Sequence, residues 1–283
     1  MNKIIFNGEI LYEENLIFTQ LKRAVNFGDG FFETIRVING TEMFLEDHFT
    51  RIITGLNFLK IDYPRSFNLS SLKNDIHSLL KINKINEGGK IKVYFFRGGL
   101  GTYKPTKNNI SYIVETTNLN SNLYELNTKG HLVSVFKDYK KQINSLSSFK
   151  TSNSLLYVLA SIFAEQNNYN DSLILNENSN IIESSNSNIF LWLNQKIITP
   201  PLSSGCIAGI MRKVIINILI ELNIEIVERD ITQKNLEMSN EIFLTNVISG
   251  ITWVGGFKHI RYYNTLSKKI TKKLNENLIV DGV

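Results

Sequence analysis

The sequence predicts an α+β protein in two domains, and three observations carry that expectation. Strand-like and helix-like segments are mixed without strict alternation. Asn-Gly pairs separate short apolar runs near the start, and a polar, Asn-rich stretch (Thr117 to Thr128) breaks the pattern before mid-chain. The 283 residues, 43% hydrophobic and 20% charged, can bury one large core or two smaller ones.

The first third reads as hairpins and then helices. Asn7-Gly8 separates Ile4-Ile5-Phe6 from Glu9-Ile10-Leu11, and Asn39-Gly40 separates Ile35 to Ile38 from Thr41 to Phe44. Asn-Gly is the strongest short hairpin signal, because both central residues of the turn need positive φ. Helical spacing follows from Leu45 to Leu59, with Phe49, Ile52, Ile53, Leu56 and Leu59 on one side, and a second helix is expected over Leu69 to Ile82. Strands at Ile91 to Phe96 and Ser111 to Thr116 flank the glycine-bearing loop Arg97 to Tyr103. Thr117 to Thr128 is taken as the linker, giving domains over 1–118 and 119–283. Beyond it the sequence predicts a strand (Leu132 to Phe136), a helix (Asn153 to Asn167) and a meander (Ser172 to Leu175, Ile181-Ile182, Asn188 to Leu193, Lys196 to Thr199). A helix (Ile210 to Leu222), a strand (Ile224 to Glu228), strands around Phe243 and Thr252, and a last helix from Thr265 to Leu278 complete the chain.

Composition excludes several classes. The 31 Lys and Arg exceed the 26 Asp and Glu by five. That excess is spread out, and its densest cluster (Lys268, Lys269, Lys272, Lys273) reads as the wet face of the last helix, so no nucleic-acid partner is expected. Cys206 stands alone, and four scattered histidines make no zinc pattern, so no metal is expected. The N-terminus reaches Asn and Glu too soon for a signal peptide, and Val214 to Val227 is broken by polar residues. The expectation is therefore a cytoplasmic protein with no membrane partner.

Taken singly, the candidate residues are ambiguous. Lys150 leaves a polar loop before a helix: it is either a solvated charge or an amine with a depressed pKa that condenses with a carbonyl. Glu183 before Ser184-Ser185-Asn186 is turn chemistry or a carboxylate held in a pocket. His48 and Arg51 share a helix face, as a solvated pair or as an arginine fork aimed at phosphate with the histidine bracing it. Gly205 to Arg212 opens a helix with small residues that suit either close packing or anion capture by free amides. Gly28-Asp29-Gly30 fails as a dinucleotide loop, since the spacing is absent.

In order and spacing, Arg51, Lys150, Glu183, Gly209-Ile210-Met211-Arg212 and Thr245-Asn246 resemble the class IV aminotransferases. These are the fold type IV pyridoxal-phosphate enzymes: branched-chain and D-amino-acid aminotransferases and aminodeoxychorismate lyase. The resemblance runs from Phe27 to Val254 and implies a two-domain, D-amino-acid-aminotransferase-like fold with pyridoxal 5'-phosphate in the cleft. It further implies that Lys150 bonds the cofactor and moves the catalytic proton, and that Glu183 pairs with the pyridine nitrogen. Arg51, the amides of Ile210 and Met211, Asn246 and the amide of Val247 then hold the phosphate.

There are departures from the pattern. Where many relatives carry a tyrosine for the cofactor's phenolic oxygen, Ser154 stands here, and Val247 and Trp253 replace a usual hydroxyl residue and proline. Phe31-Phe32-Glu33-Thr34-Ile35-Arg36 and Thr245-Asn246 lean toward the lyase of folate biosynthesis, which releases pyruvate and 4-aminobenzoate, with Thr34 as a candidate catalytic hydroxyl. An amino-acid aminotransferase using 2-oxoglutarate is the alternative. Phe32, Arg97, Tyr103 and Lys104 are the substrate candidates. An inactive structural relative is the alternative of another class, and the presence of both Lys150 and Glu183 argues against it. The resemblance also implies a homodimer in which the Gly98 to Tyr103 loop reaches the partner, although that loop could equally fold back on its own domain.

Overall fold

Both Asn-Gly pairs turn as their chemistry requires: Asn7, Gly8, Asn39 and Gly40 all have positive φ. The flanking runs pair in two-residue hairpins, β1 (Lys3–Phe6) with β2 (Glu9–Tyr12) and β3 (Gly30–Ile38) with β4 (Thr41–Glu42). These facts come from a computed structural model that describes residues 2–280. The chain divides into two units, Met1–Leu123 with Lys150–Asn153, and Tyr124–Phe149 with Ser154–Val283. The first unit thus extends past the 118 boundary read from the sequence. It also takes Lys150, which the sequence had placed with the second. The reason is backbone pairing: Phe32 N–H donates to Lys150 O, and Ser152 N–H to Gly30 O.

In the first unit, α1 (Phe18–Phe27) precedes β3, a helix the sequence reading did not anticipate. After β4 come α2 (Leu45–Phe58), α3 (Leu69–Ile82), β5 (Gly89–Arg97) and β6 (Ile110–Asn118). The strands form one sheet in the order β2-β1-β6-β5-β3-β4. Alternation along β3 sends Phe31, Ile35 and Val37 to one face, where they pack with Ile52 and Leu56 of α2 and Leu72, Ile76 and Leu79 of α3. Glu33 shares that parity, so the strand aims a carboxylate at α2. The other face receives Phe32 and Thr34, registered against Tyr94 and Lys92 of β5. Acidic Glu46 and Asp47 in the first turn of α2 complement the helix dipole.

The second unit holds β7 (His131–Lys141), α4 (Leu155–Gln166), β8 (Asp171–Asn176), β9 (Ile181–Ser184), β10 (Asn188–Leu193) and β11 (Lys196–Thr199). There follow α5 (Ile210–Glu221), β12 (Ile226–Glu228), the short α6 (Gln233–Met238), β13 (Glu241–Asn246), β14 (Gly250–Phe257), β15 (Ile260–Arg261) and α7 (Thr265–Val280). Its sheet runs β12-β11-β10-β13-β14-β7-β8-β9, and β9 pairs back to β10 at Asn188 and Glu183, curling the sheet on itself. Strands β8, β9 and β13 are almost wholly buried, which explains their continuous apolar runs. No helix among the described residues is long and apolar enough to cross a membrane.

Candidate functional site

In the first unit the chemistry gathers around Glu33. The carboxylate is buried (1% exposed) and receives both edges of the Arg51 fork, Nε to Oε1 at 2.7 Å and Nη2 to Oε2 at 2.6 Å. His48 Nδ1, one turn earlier on α2, reaches Oε2 at 2.7 Å. The three-residue spacing of His48 and Arg51 puts both side chains over one strand position. Burial alone would raise the Glu33 carboxyl, but Arg51 and His48 overcome it and hold it at about 2, against 4.5 in the open. His48 therefore braces Arg51 through a carboxylate that the sequence reading had not singled out.

Lys150 lies in the same unit with its Nζ 4.3 Å from the centroid of the Phe32 ring. Burial lowers its amine from 10.5 to about 8; Glu33 pulls it up, and Arg51 and Lys92 push it down. An appreciable fraction of the amine is then uncharged near neutrality, the condition for attack on a carbonyl. Thr34 lies on the Phe32 face of β3, two residues along and opposite Lys92.

Arg97, expected at the substrate, is committed elsewhere. It donates to Asp29 at 3.0 Å, to the carbonyls of Leu59 and Lys60, and to Asn108. A guanidinium with its donors spent on structure has little left for a ligand carboxylate. The Gly98 to Tyr103 loop folds back on its own unit: buried Arg23 of α1 donates to Thr102 O at 2.6 Å, and Tyr103 lies 5.6 Å from Phe27 while remaining 89% exposed.

In the second unit Glu183 is the centre. Its Oε1 accepts from Lys141 Nζ at 2.7 Å and from the Tyr157 hydroxyl at 2.8 Å, and its Oε2 from the Ile207 amide at 2.8 Å. Burial and the Glu183 carboxylate push the Tyr157 phenol far above its ordinary range, so it stays a donor. Neither Lys141 nor Tyr157 was found from the sequence. Tyr157 lies three positions past Ser154, one turn along α4, and only proximity to Glu183 distinguishes it. A carboxylate has about four acceptor positions, so Oε2 can take one further donor.

Helix α5 starts at Gly209, where a Cβ would fall 2.0 Å from Asn188 Oδ1; only glycine lets the helix begin that close to β10. The amides of Ile210 and Met211 open the helix and have no acceptor inside it. Asn246 Oδ1 accepts from the amides of Ile248 and Ser249, and its Nδ2 donates to Ser187 Oγ, so its side chain shapes the loop that carries Val247. Buried Thr245 Oγ1, next to that loop, has no hydrogen-bond partner among the described residues.

These residues fit pyridoxal phosphate. The first unit offers an amine of lowered pKa and a braced arginine. The second offers a carboxylate acceptor, helix-start amides for an anion, and an orphaned hydroxyl.

The family model described as amino-transferase class IV matches residues 30–256. A Methanocaldococcus jannaschii protein provisionally named a branched-chain-amino-acid aminotransferase is 28% identical, over 97% of this chain and 94% of its own. An aminodeoxychorismate lyase of Vibrio harveyi is 23% identical, over 90% and 93%. The pyridoxal-phosphate form of a Thermobaculum terrenum branched-chain aminotransferase superposes with a TM-score of 0.86 at 21% identity, over 97% of this chain and 93% of that one.

Proposed function

The chain belongs to the class IV amino-transferase family, whose enzymes depend on pyridoxal phosphate, and from that premise we propose that it moves an amino group between an amino acid and a 2-oxo acid. The observation that carries this reading is Lys150, an amine lowered to about 8 and seated on the Phe32 ring. When bound, the cofactor supplies an aldehyde that captures amines and a ring that accepts electrons from the adjoining carbon.

The protein residues have separate tasks. Lys150 holds the cofactor and then carries the proton on Nζ. In the first unit Arg51, fixed by Glu33, is a donor suited to a phosphate anion, and in the second the amides of Ile210, Met211 and Val247 are donors of the same kind. Glu183, steadied by Lys141, Tyr157 and Ile207, offers its remaining acceptor position to the pyridine nitrogen. Borohydride reduction and peptide mapping should find the pyridoxyl group on Lys150; a label on another lysine rejects the assignment.

The choice of transferase over lyase rests on two relatives of branched-chain aminotransferase name at 28% and 26% identity, against 23% for two lyases. One observation keeps the lyase as second reading: the Thr34 hydroxyl shares the sheet face of Phe32. Product analysis decides between them. Amino exchange with 2-oxoglutarate supports the transferase, and pyruvate with an aromatic amine from aminodeoxychorismate supports the lyase.

A homodimer belongs to the same proposal. Leu155, Val158, Leu159 and Ile162 recur at helical spacing on α4 and are all exposed, an apolar stripe that suits burial against a second copy. Light scattering should give twice the 32.4 kDa of one chain.

A further inference from the structure

In the second unit the Glu183 carboxylate is neutralised by a lysine of its own chain. Lys141 Nζ donates to Oε1 at 2.7 Å, with 11% of the lysine side chain and 3% of the glutamate side chain exposed. The strand explains the placement. β7 pairs with β8 as far as Phe136, loses register, and returns at Lys141 beside Asn176. Alternation then sends the neighbouring Lys140 outward to Ser179 Oγ and Lys141 inward to Glu183, its Nζ 5.4 Å from the centroid of the Tyr157 ring.

Among the described residues, the other titratable groups around this carboxylate are uncharged or matched. Burial, with the Glu183 charge, pushes the Tyr157 phenol far up and the Cys206 thiol up to about 11, so both keep their protons. Arg212 of α5, which acts on the same thiol, is paired with Glu228 at 2.7 Å. The Ile207 amide brings a hydrogen bond and no net charge. Glu183 and Lys141 therefore cancel each other before a ligand arrives. An unshared carboxylate would hold a protonated pyridine as an ion pair. A shared one gives it a hydrogen-bond acceptor while the nearby ammonium repels it, most strongly where water is excluded.

We propose that Lys141 is a positioning residue that sets how firmly the cofactor's pyridine nitrogen keeps its proton: by neutralising Glu183 in advance, it loosens a proton that the carboxylate alone would fix. The ring is thereby a graded electron sink, weaker than one that faces an unshared carboxylate. The proposal rests on the reading of Glu183 as the partner of that nitrogen.

The test reads the nitrogen itself, by NMR of the protein loaded with pyridoxal phosphate isotopically labelled at the ring nitrogen and titrated over pH. Lys141→Met should raise the midpoint of the nitrogen's titration by about one pH unit or more, the scale of one nearby charge, and Lys141→Arg should return it to the wild-type value. An unchanged or lowered midpoint in Lys141→Met overturns the proposal, because a lysine that only braces the carboxylate would give that result. A wild-type nitrogen that stays protonated at every pH where the protein is folded overturns it as well. Lys141→Gln repeats the measurement with a polar neutral side chain, and circular dichroism with the cofactor content of each variant controls for a folding defect. Glu183→Gln separates the two readings. A midpoint that falls there keeps Glu183 as the partner whatever Lys141 does, and one that does not move removes the partner and this proposal with it.

Discussion

The two units each bury one carboxylate among hydrogen-bond donors, but the roles are inverted. In the first, Glu33 spends both oxygens on fixing the Arg51 fork, which the proposed function makes the working group. In the second, Lys141, Tyr157 and the Ile207 amide fix Glu183, and the proposed function makes the carboxylate the working group. The first arrangement fixes the direction of a positive charge and the second that of a negative one. Burial of a charge is tolerated in both because its partners are placed before any ligand arrives.

Breaking the first brace should have the largest effect. Glu33→Gln removes a buried carboxylate that pairs with both Arg51 and His48, a loss of about 3–5 kcal/mol of stability by urea unfolding. The pH dependence gives a second view of the same pair. The Glu33 carboxyl is lowered from 4.5 to about 2, so its stabilisation is complete above 4.5 and is lost as pH falls through 2. That shift corresponds to about 3 kcal/mol, and in Glu33→Gln this part of the acid dependence should disappear. A variant as stable as wild type would show that Arg51 is held by something else.

Glu183→Gln tests the inverted case. The amide cannot offer a charge to the pyridine nitrogen, so cofactor should still bind while turnover falls by about one to three decades, or about 1.4–4 kcal/mol. Loss of cofactor with turnover per bound cofactor unchanged would make Glu183 a structural group. A pH-linked effect of similar size to that of Glu33 belongs to Lys150. Its folded pKa of about 8 lies below 10.5, so the unfolded chain holds more protons between those values. The cofactor-free protein should therefore gain stability as pH rises from 8 toward 10.5, and Lys150→Met should flatten that slope. Smallest is Tyr157→Phe, which removes one of three donors to Glu183: about 0.5–1.5 kcal/mol in stability, with the fold intact by circular dichroism. A loss as large as that of Glu183→Gln in turnover would mean that the phenol does more than brace.

What the sequence showed depended on whether the signal was local. The hairpins were legible because Asn-Gly demands its turn wherever it stands. Arg51, Lys150 and Glu183 were picked out by order and spacing, and the proposed function rests on them. Helix α1 was not, because its core face is thin: Leu21 and Ala24 pack only in part, Phe18 and Val25 face outward, and its buried residue is Arg23. Glu33 was hidden inside an apolar strand run, where alternation alone gives no reason to prefer it. Lys141 lies 42 residues from Glu183, and Asp29 lies 68 from Arg97; pairings at such separations leave no mark on either neighbourhood. Arg97 was named a substrate candidate with its carboxylate partner, Asp29, out of view.

The pairing of Phe32 with Lys150 also orders events in the synthesis of the chain. Until residue 152 has emerged, the Gly30 to Phe32 end of β3 presents backbone groups with no partner on that side, an open edge of the kind that invites mispairing. The first unit is therefore completed only after all of β7 and the loop beyond it have been made. Its last piece is the tetrapeptide that carries Lys150, so the amine enters its depressed-pKa setting as the closing event of that unit's assembly. A nascent chain stalled before Lys150 would have the Glu33–Arg51 brace in place but an uncapped edge, and a ribosome-released fragment of that length should self-associate where the chain extended to Asn153 does not.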